Sequence, residues 1–340
     1  MSQEIFQDIL RGFRDMLILA MDIGKTKTLA ILVDEKGDIH GRALSGPSGM
    51  WLNKEKIMKN VKQAIEDCLA RKRISIEQVD IVSISWADLD TREDWQNAWN
   101  IIEQIGLERG RVIIEHDVVS AYYTVTWGKP GVAVIAGTGS IAYGVNKYGE
   151  KMIASGWGWL IGDEGSAYWI AIRALNAVSR AYDGRGEQTL LTDKVKKYFL
   201  TEEKTEILTK IYKEMKGDPT EIAKMAKIVD EAAAEGDKIA VKILSEAGRE
   251  LAECVLAIAR GLRMENDDII VGGVGGVFRS KIVNETFNKI LRIKLPNARI
   301  RGPFIGDTPI IGPIIIALKK RNVPITTGFI DKIMKNIKQE

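Results

Sequence analysis

The chain has 340 residues, more than one hydrophobic core usually serves, so two domains are expected. Its 45% hydrophobic and 28% charged residues fit a globular protein, and the net charge of +3 is small. Because that charge is spread evenly and no basic run is interleaved with aromatics, a nucleic-acid groove is not expected. No apolar stretch reaches membrane-spanning length, and residues 1–15 lack the basic-then-apolar order of a signal peptide, so no membrane partner is expected and the expected location is cytoplasmic.

In chain order, residues 17–45 read as three strands joined by tight turns, with Lys36-Gly37-Asp38 marking the second turn. A helix follows from Lys54 to about Arg73, then the strand "VDIVSISW" from Val79, a helix over roughly 93–106, and the strand "RVIIEH" ending at His116. Gly128-Lys129-Pro130-Gly131 is a break and the candidate domain boundary. Beyond it "VAVIAG", "IAYGVN" and "EKMIAS" read again as three strands, helices dominate residues 164–263, and "DDIIVGGVGG" is a late strand followed by an amphipathic helix to about Leu291. Cys68 and Cys254 fall on apolar faces of helical patterns and read as buried thiols, not as a disulfide or metal pair.

One device occurs twice: strand, small hydroxyl-bearing loop, strand, charged turn. In "DIGKTKT" Asp22 lies where a strand runs out, and a carboxylate there can hold water around Mg2+. Gly24 permits a tight turn with amides facing an anion, and Thr26 and Thr28 offer hydroxyls to phosphate; an ordinary hairpin reads equally well from this loop alone. The second loop, Gly137-Thr138-Gly139-Ser140, shifts the balance, since one phosphate hairpin in each of two similar domains makes a clamp for a nucleotide. No P-loop pattern is present. Between the loops, Asp117 ends a strand and begins a helix; it reads as the base that accepts a substrate hydroxyl proton, against the plainer reading of a helix N-cap. His116 alternates away from it and reads as packing or surface. In "GWGWLIGDEG", Trp157 between Gly156 and Gly158 can press an aromatic face on a sugar ring, while Trp159 and Trp169 read as core.

These loops, the "HD" segment, "GWGWLIGDEGSAYWI" at 156–170 and "VGGVGGVFRS" at 271–280 occur in an order that resembles the sugar kinases of the actin/hexokinase ATPase superfamily. Within it the chain is most similar to the N-acetylglucosamine kinase branch, grouped with BadF/BadG/BcrA/BcrD ATPases and archaeal broad-specificity hexokinases. The resemblance runs from Leu17 to about Lys320 and leaves residues 1–16 outside. It implies an α/β fold of two ribonuclease-H-like, actin/hexokinase-type domains around a nucleotide-binding cleft. Residues 1–128 and 129–320 would be the two domains, with a C-terminal helix over about 321–340 packing back on the first. It implies ATP and Mg2+ as cofactors, a small-molecule sugar or sugar acid as partner, and leaves a homodimer open.

Residue by residue, the resemblance implies that Asp22 organises Mg2+ through water, that Gly24, Thr26, Gly137, Thr138 and Gly139 form the phosphate loops, and that Ala223 and Gly276 lie beside the adenosine. Asp117 matches the catalytic base, and Trp51, Ser85, Asp88, Gly156, Trp157, Gly158 and Asp163 match sugar-side positions. Two departures stand out. Lys25 replaces a usual glycine and reads as solvent-facing, and Gly49 replaces the Asn two residues before Trp51 that holds sugar hydroxyls in amino-sugar kinases, with Asn53 as a substitute nearby. The expected reaction is γ-phosphate transfer to a hydroxyl of N-acetylglucosamine, glucosamine or glucose. Phosphorylation of 2-keto-3-deoxygluconate is the alternative, and an ATPase activator of a 2-hydroxyacyl-CoA dehydratase ranks lower, because its iron–sulfur cysteines have no counterpart in Cys68 and Cys254.

Overall fold

In the computed structural model, residues 15–339 are described. The chain divides into two units: the first ends at Gly128 and resumes at Asp307, and the second is Lys129–Gly306. The expectations attached to residues 1–14 lie outside the described residues.

The first unit opens with β1 (Leu17–Ile23), β2 (Thr28–Asp34) and β3 (Ile39–Ser45), followed by α1 (Lys54–Ala70), β4 (Ile81–Trp86), α2 (Arg92–Gln104), β5 (Val112–His116) and α3 (Asp117–Thr126). Its five strands lie in the order β3-β2-β1-β4-β5, the first three antiparallel and β1, β4 and β5 parallel. Alternation along β1 builds two cores. Leu19, Met21 and Ile23 pack with apolar residues of α1 and α2, whereas Ile18 and Ala20 face the opposite layer.

The second unit repeats that plan. β6 (Gly131–Ala136), β7 (Ser140–Val145) and β8 (Lys151–Ser155) are antiparallel, and β9 (Ile270–Val274) and β10 (Arg299–Phe304) extend β6 in parallel, giving β10-β9-β6-β7-β8. Its helices are α4 (Ala167–Tyr182), α5 (Leu191–Phe199), α6 (Lys204–Thr209), α7 (Pro219–Ala223), α8 (Ala226–Ala234), α9 (Lys238–Gly261) and α10 (Lys281–Lys294). Each unit is thus a mixed five-stranded sheet with helices, the actin/hexokinase type of α/β fold.

The return to the first unit comes at Asp307, ahead of the expected 320. The reason is α11 (Ile311–Lys320), whose first eight residues are all buried, followed by α12 (Thr327–Gln339). Ile310, Ile311, Ile314, Ile315, Phe329 and Ile333 complete the core that Ile18, Ala20, Leu29, Ile31 and Ile81 begin. A Cβ on Gly312 would lie 2.1 Å from the Ser120 carbonyl oxygen, so α3 and α11 touch backbone to backbone. Thr124 Oγ1 donates to the Pro309 carbonyl at 3.0 Å and fixes the same contact.

Candidate active site

Parallel strands whose carboxyl ends align gather their last residues in one row, and the first unit places its polar residues there. Asp22 on β1 is in register with Ser85 on β4, and Ser85 with Glu115 on β5; one step further, Ile23, Trp86 and His116 align. Protein surrounds the Asp22 carboxyl although part of the residue reaches the surface. Burial, with the Asp117 carboxylate nearby, raises its pKa to about 6 against the opposing pull of Lys27 and a hydrogen bond from Ser85. Ser85 itself is buried, so its hydroxyl serves Asp22. The Lys27 ammonium is taken by Asp307, which also pairs with Arg42.

The loop after β1 is a tight turn closed by the Gly24 N–H on the Lys27 carbonyl at 2.9 Å, with Thr26 exposed at its tip. Thr28 does not face an anion. Its hydroxyl donates to the Gly46 carbonyl at 2.9 Å and lies 2.8 Å from Ser48 Oγ, both fully buried, and the Trp86 indole donates to the Ser48 carbonyl at 2.9 Å. That network fixes the segment carrying Gly49. A Cβ there would sit 2.6 Å from Trp51 Nε1 and 2.8 Å from Asp88 Oδ2, so the absent side chain leaves room that these two groups occupy. Trp51 is 64% exposed. Asn53 does not stand in for the missing Asn, because its side chain accepts the Lys56 N–H at 2.9 Å and caps α1.

Asp88 adopts a left-handed backbone (φ 64°), a strained state for a residue with a side chain. Lys25 is not a free surface lysine: its ammonium lies 2.8 Å from Asp88 Oδ1. Asp88 Oδ2 is buried without a hydrogen-bond partner, and burial pushes its carboxyl up despite Lys25. Beside this pair, His116 holds two carboxylates, with Nδ1 2.8 Å from Asp117 Oδ1 and Nε2 3.3 Å from Asp90 Oδ1. Two sequence expectations change here. The N-cap of α3 is His116, not Asp117, which is the first helical residue, and His116 reaches Asp117 instead of pointing away. Strand alternation misled because it fails at the last strand residue, where the backbone already turns into the helix. Lys25 and His116 are the site residues that sequence reasoning missed.

In the second unit the loop after β6 turns at Gly137–Gly139, with the Gly137 N–H on the Gly139 carbonyl at 2.9 Å. The carbonyls of Gly137 and Thr138 accept the N–H groups of Ala167 and Tyr168, tying the loop to the start of α4. Asp163, buried and left-handed (φ 57°), binds the Gly158 N–H through Oδ1 at 3.2 Å, and a Cβ on Gly139 would lie 2.5 Å from its Oδ2. Asp163 therefore fixes the end of the Gly156-Trp157-Gly158 stretch and packs closely on the Gly139 backbone. Gly156 and Gly158 both require positive φ, which leaves Trp157 74% exposed. Trp159 is not core: it is exposed and packs edge-on against Tyr168. Ala223 is buried in α7, and Gly276 is exposed with nothing within 4 Å of where a Cβ would stand, whereas its neighbour Gly275 (φ 108°) packs on the Ala136 carbonyl.

Among the described residues no group of three or more His, Cys, Asp or Glu side chains is arranged to hold a metal ion, and no helix is long and apolar enough to cross a membrane.

Relatives match this chain along most of its length. It is 30% identical over 302 residues to the N-acetylmuramic acid/N-acetylglucosamine kinase of Clostridium acetobutylicum, covering 88% of this chain and 97% of that protein. It is 27% identical over 337 residues to the N-acetyl-D-glucosamine kinase of Dictyostelium discoideum, covering 94% and 100%. These relatives are carbohydrate kinases, that is, phosphotransferases. The fold matches a crystal structure from Chromobacterium violaceum with TM-score 0.71 at 23% identity, over 89% of this chain and 99% of that one. It also matches a ROK family glucokinase from Streptomyces griseus, solved with glucose and AMPPNP, with TM-score 0.54 at 17% identity over 89% and 99%. The description of one family spans residues 19–317, both sheets and the polar row at their strand ends: the chain belongs to the BadF/BadG/BcrA/BcrD ATPase family.

Proposed function

We propose that this chain is an ATP-dependent sugar kinase that phosphorylates a hydroxyl of N-acetylglucosamine, glucosamine or glucose, with Asp117 as the proton acceptor. One observation carries the reading: two carboxylates, Asp22 and Asp117, stand close enough at the parallel strand ends for the charge of Asp117 to add to the proton affinity of Asp22. The two roles differ by environment. Asp22 is ringed by protein and keeps a charge that no ammonium neutralises directly, since Lys27 is spent on Asp307. Such a carboxylate fits a hydrated Mg2+ ion, which when bound would offset charge on the nucleotide phosphates. Asp117 begins α3, has an oxygen without an aligned hydrogen-bond donor, and accepts the proton released as the sugar hydroxyl attacks phosphorus. In the unit that carries Asp117, exposed Trp51 offers a face to the apolar side of a sugar ring. Similarity to amino-sugar kinases over nearly the whole chain supports the acceptor class.

The test is ADP release across N-acetylglucosamine, glucosamine, glucose and sugar acids, for the wild type and Asp117→Asn. Because His116 caps the helix, Asn at 117 should preserve the fold and nucleotide binding. Loss of a general base typically costs a factor of about 100 to 10,000, so turnover should fall at least a hundredfold. A folded Asp117→Asn protein with wild-type turnover would overturn the assignment of the base, and activity confined to sugar acids would overturn the acceptor class.

A further inference from the structure

The contact between His116 and Asp117 is not explained by capping alone. Resting on the proposed role of Asp117 as base, we infer that His116 is a positioning residue whose ring, held from behind by Asp90, contacts the Asp117 carboxylate and keeps it in place.

Nδ1 faces two groups that make opposite demands. The Val118 N–H, 3.1 Å away, calls for a lone pair on Nδ1, whereas Asp117 Oδ1, 2.8 Å away, calls for a proton. A neutral ring with its lone pair on Nδ1 would set that pair against a carboxylate oxygen, a repulsion that a proton on Nδ1 removes. The second carboxylate, Asp90 Oδ1 at 3.3 Å from Nε2, favours the same doubly protonated ring. Burial works against the charge, yet Asp117 and Asp90 outweigh it and raise the His116 pKa to about 10. The ring is thus an imidazolium throughout the neutral range, and its side chain is only 17% exposed.

Asp117 needs such a partner. The Asp22 and Asp88 carboxylates both act on it electrostatically, and crowded carboxylates resist sharing full charge. Lys25 also faces this cluster, but its ammonium is committed to Asp88. Asp117 Oδ1 has no aligned hydrogen-bond donor, so the imidazolium is the cation in direct contact with it. Without that contact, Asp117 would sample other rotamers, which removes base from the population placed to react. In contrast, a residue that only capped α3 would affect stability alone.

His116→Asn separates the two roles, because Asn is a strong N-cap that can accept the Val118 N–H, which a doubly protonated ring cannot, but carries no charge. Tm, affinity for MgATP, kcat and KM are to be measured for His116→Asn, Asp90→Asn and Asp117→Asn. For His116→Asn we expect Tm and MgATP affinity near wild type and KM within about twofold, while kcat falls roughly tenfold. Asp90→Asn should lower kcat in the same way by less. Unchanged kcat in a folded His116→Asn protein would overturn the inference. If His116→Asn does not fold, Asp90→Asn, altered at an exposed side chain, decides: a lowered kcat at unchanged KM supports the inference and an unchanged kcat overturns it. Asp117→Asn distinguishes the two failures. Wild-type turnover in that variant sinks the base and the positioning role together, whereas a dead Asp117→Asn beside a normal His116→Asn sinks only the positioning role.

Discussion

A carboxyl buried beside another carboxylate pays for its charge in proton affinity, and Asp22 does so with a pKa raised to about 6. The sign follows directly. Above pH 6 the group is an anion that attracts a divalent cation, and below it a neutral acid that does not. Mg2+ and protons therefore compete at this position. Titration calorimetry of MgATP should show affinity about tenfold weaker at pH 5 than at pH 7, the ratio of ionised fractions for a group titrating at about 6. In Asp22→Asn that pH dependence should vanish along with most of the Mg2+ requirement. Equal Mg2+ dependence at both pH values would remove Asp22 from the ion's surroundings. Asp22 and Asp117 were legible as strand-end acids because the continuous apolar run over residues 17–21 leads into Asp22 and the strand "RVIIEH" leads into Asp117. Lys25, His116 and the buried hydroxyl of Thr28 were not, because their partners, Asp88, Asp90 and Ser48, lie 20 or more residues away in sequence and meet them only in the fold.

At the scale of elements, α3 depends on α11. The closest approach is Gly312 on the Ser120 carbonyl, and backbone cannot rotate aside as a side chain can. Gly312→Ala should cost about 1–3 kcal/mol of overpacking and lower Tm by several degrees. Turnover should fall as well, since a displaced α3 carries Asp117 with it. Gly137→Ala is the control, because nothing lies within 4 Å of its added Cβ. A Gly312→Ala protein as stable as the control would mean that the two helices part without cost. The same helix marks where sequence reading stopped. Strands β1 to β9 announce themselves by alternating or continuous apolar residues between turn signals. In contrast, "IIGPIIIALKK" is apolar all round and has no helical period, and it holds Pro313 where the first helical turn tolerates it. β10, "RIRGPF", hides for another reason: it is a sheet-edge strand with exposed arginine, glycine and proline, residues that central strands exclude.

The two units differ in how their chains are drawn. Lys129–Gly306 is one continuous stretch whose large core includes Val132, Val134, Leu244, Leu251, Val255 and Phe287. The first unit is interrupted. More than half of the buried apolar layer under β1 and β2 comes from Ile310 onward, including Ile314, Ile315, Leu318, Ile330 and Ile333. Burying such side chains contributes about 1.5–3 kcal/mol each, and five of them rival the 5–15 kcal/mol that holds a whole domain folded. A fragment of residues 129–306 should therefore show protected amides and a cooperative melt on its own. Residues 1–128 alone should not, and restoring 307–340 through a short linker should rescue them. A cooperative melt for 1–128 alone would contradict this dependence. The interruption also sets an order of events during synthesis. The ribosome delivers Asp22 and Asp117 early, yet the residues that seat the helix beginning at Asp117 emerge only after the whole second unit. The second unit can fold while the chain is still growing, whereas the carboxylate cluster has to wait for the segment from Asp307 onward. A nascent chain cut short before Ile310 therefore lacks the residues that seat the helix carrying Asp117 and has no assembled carboxylate cluster.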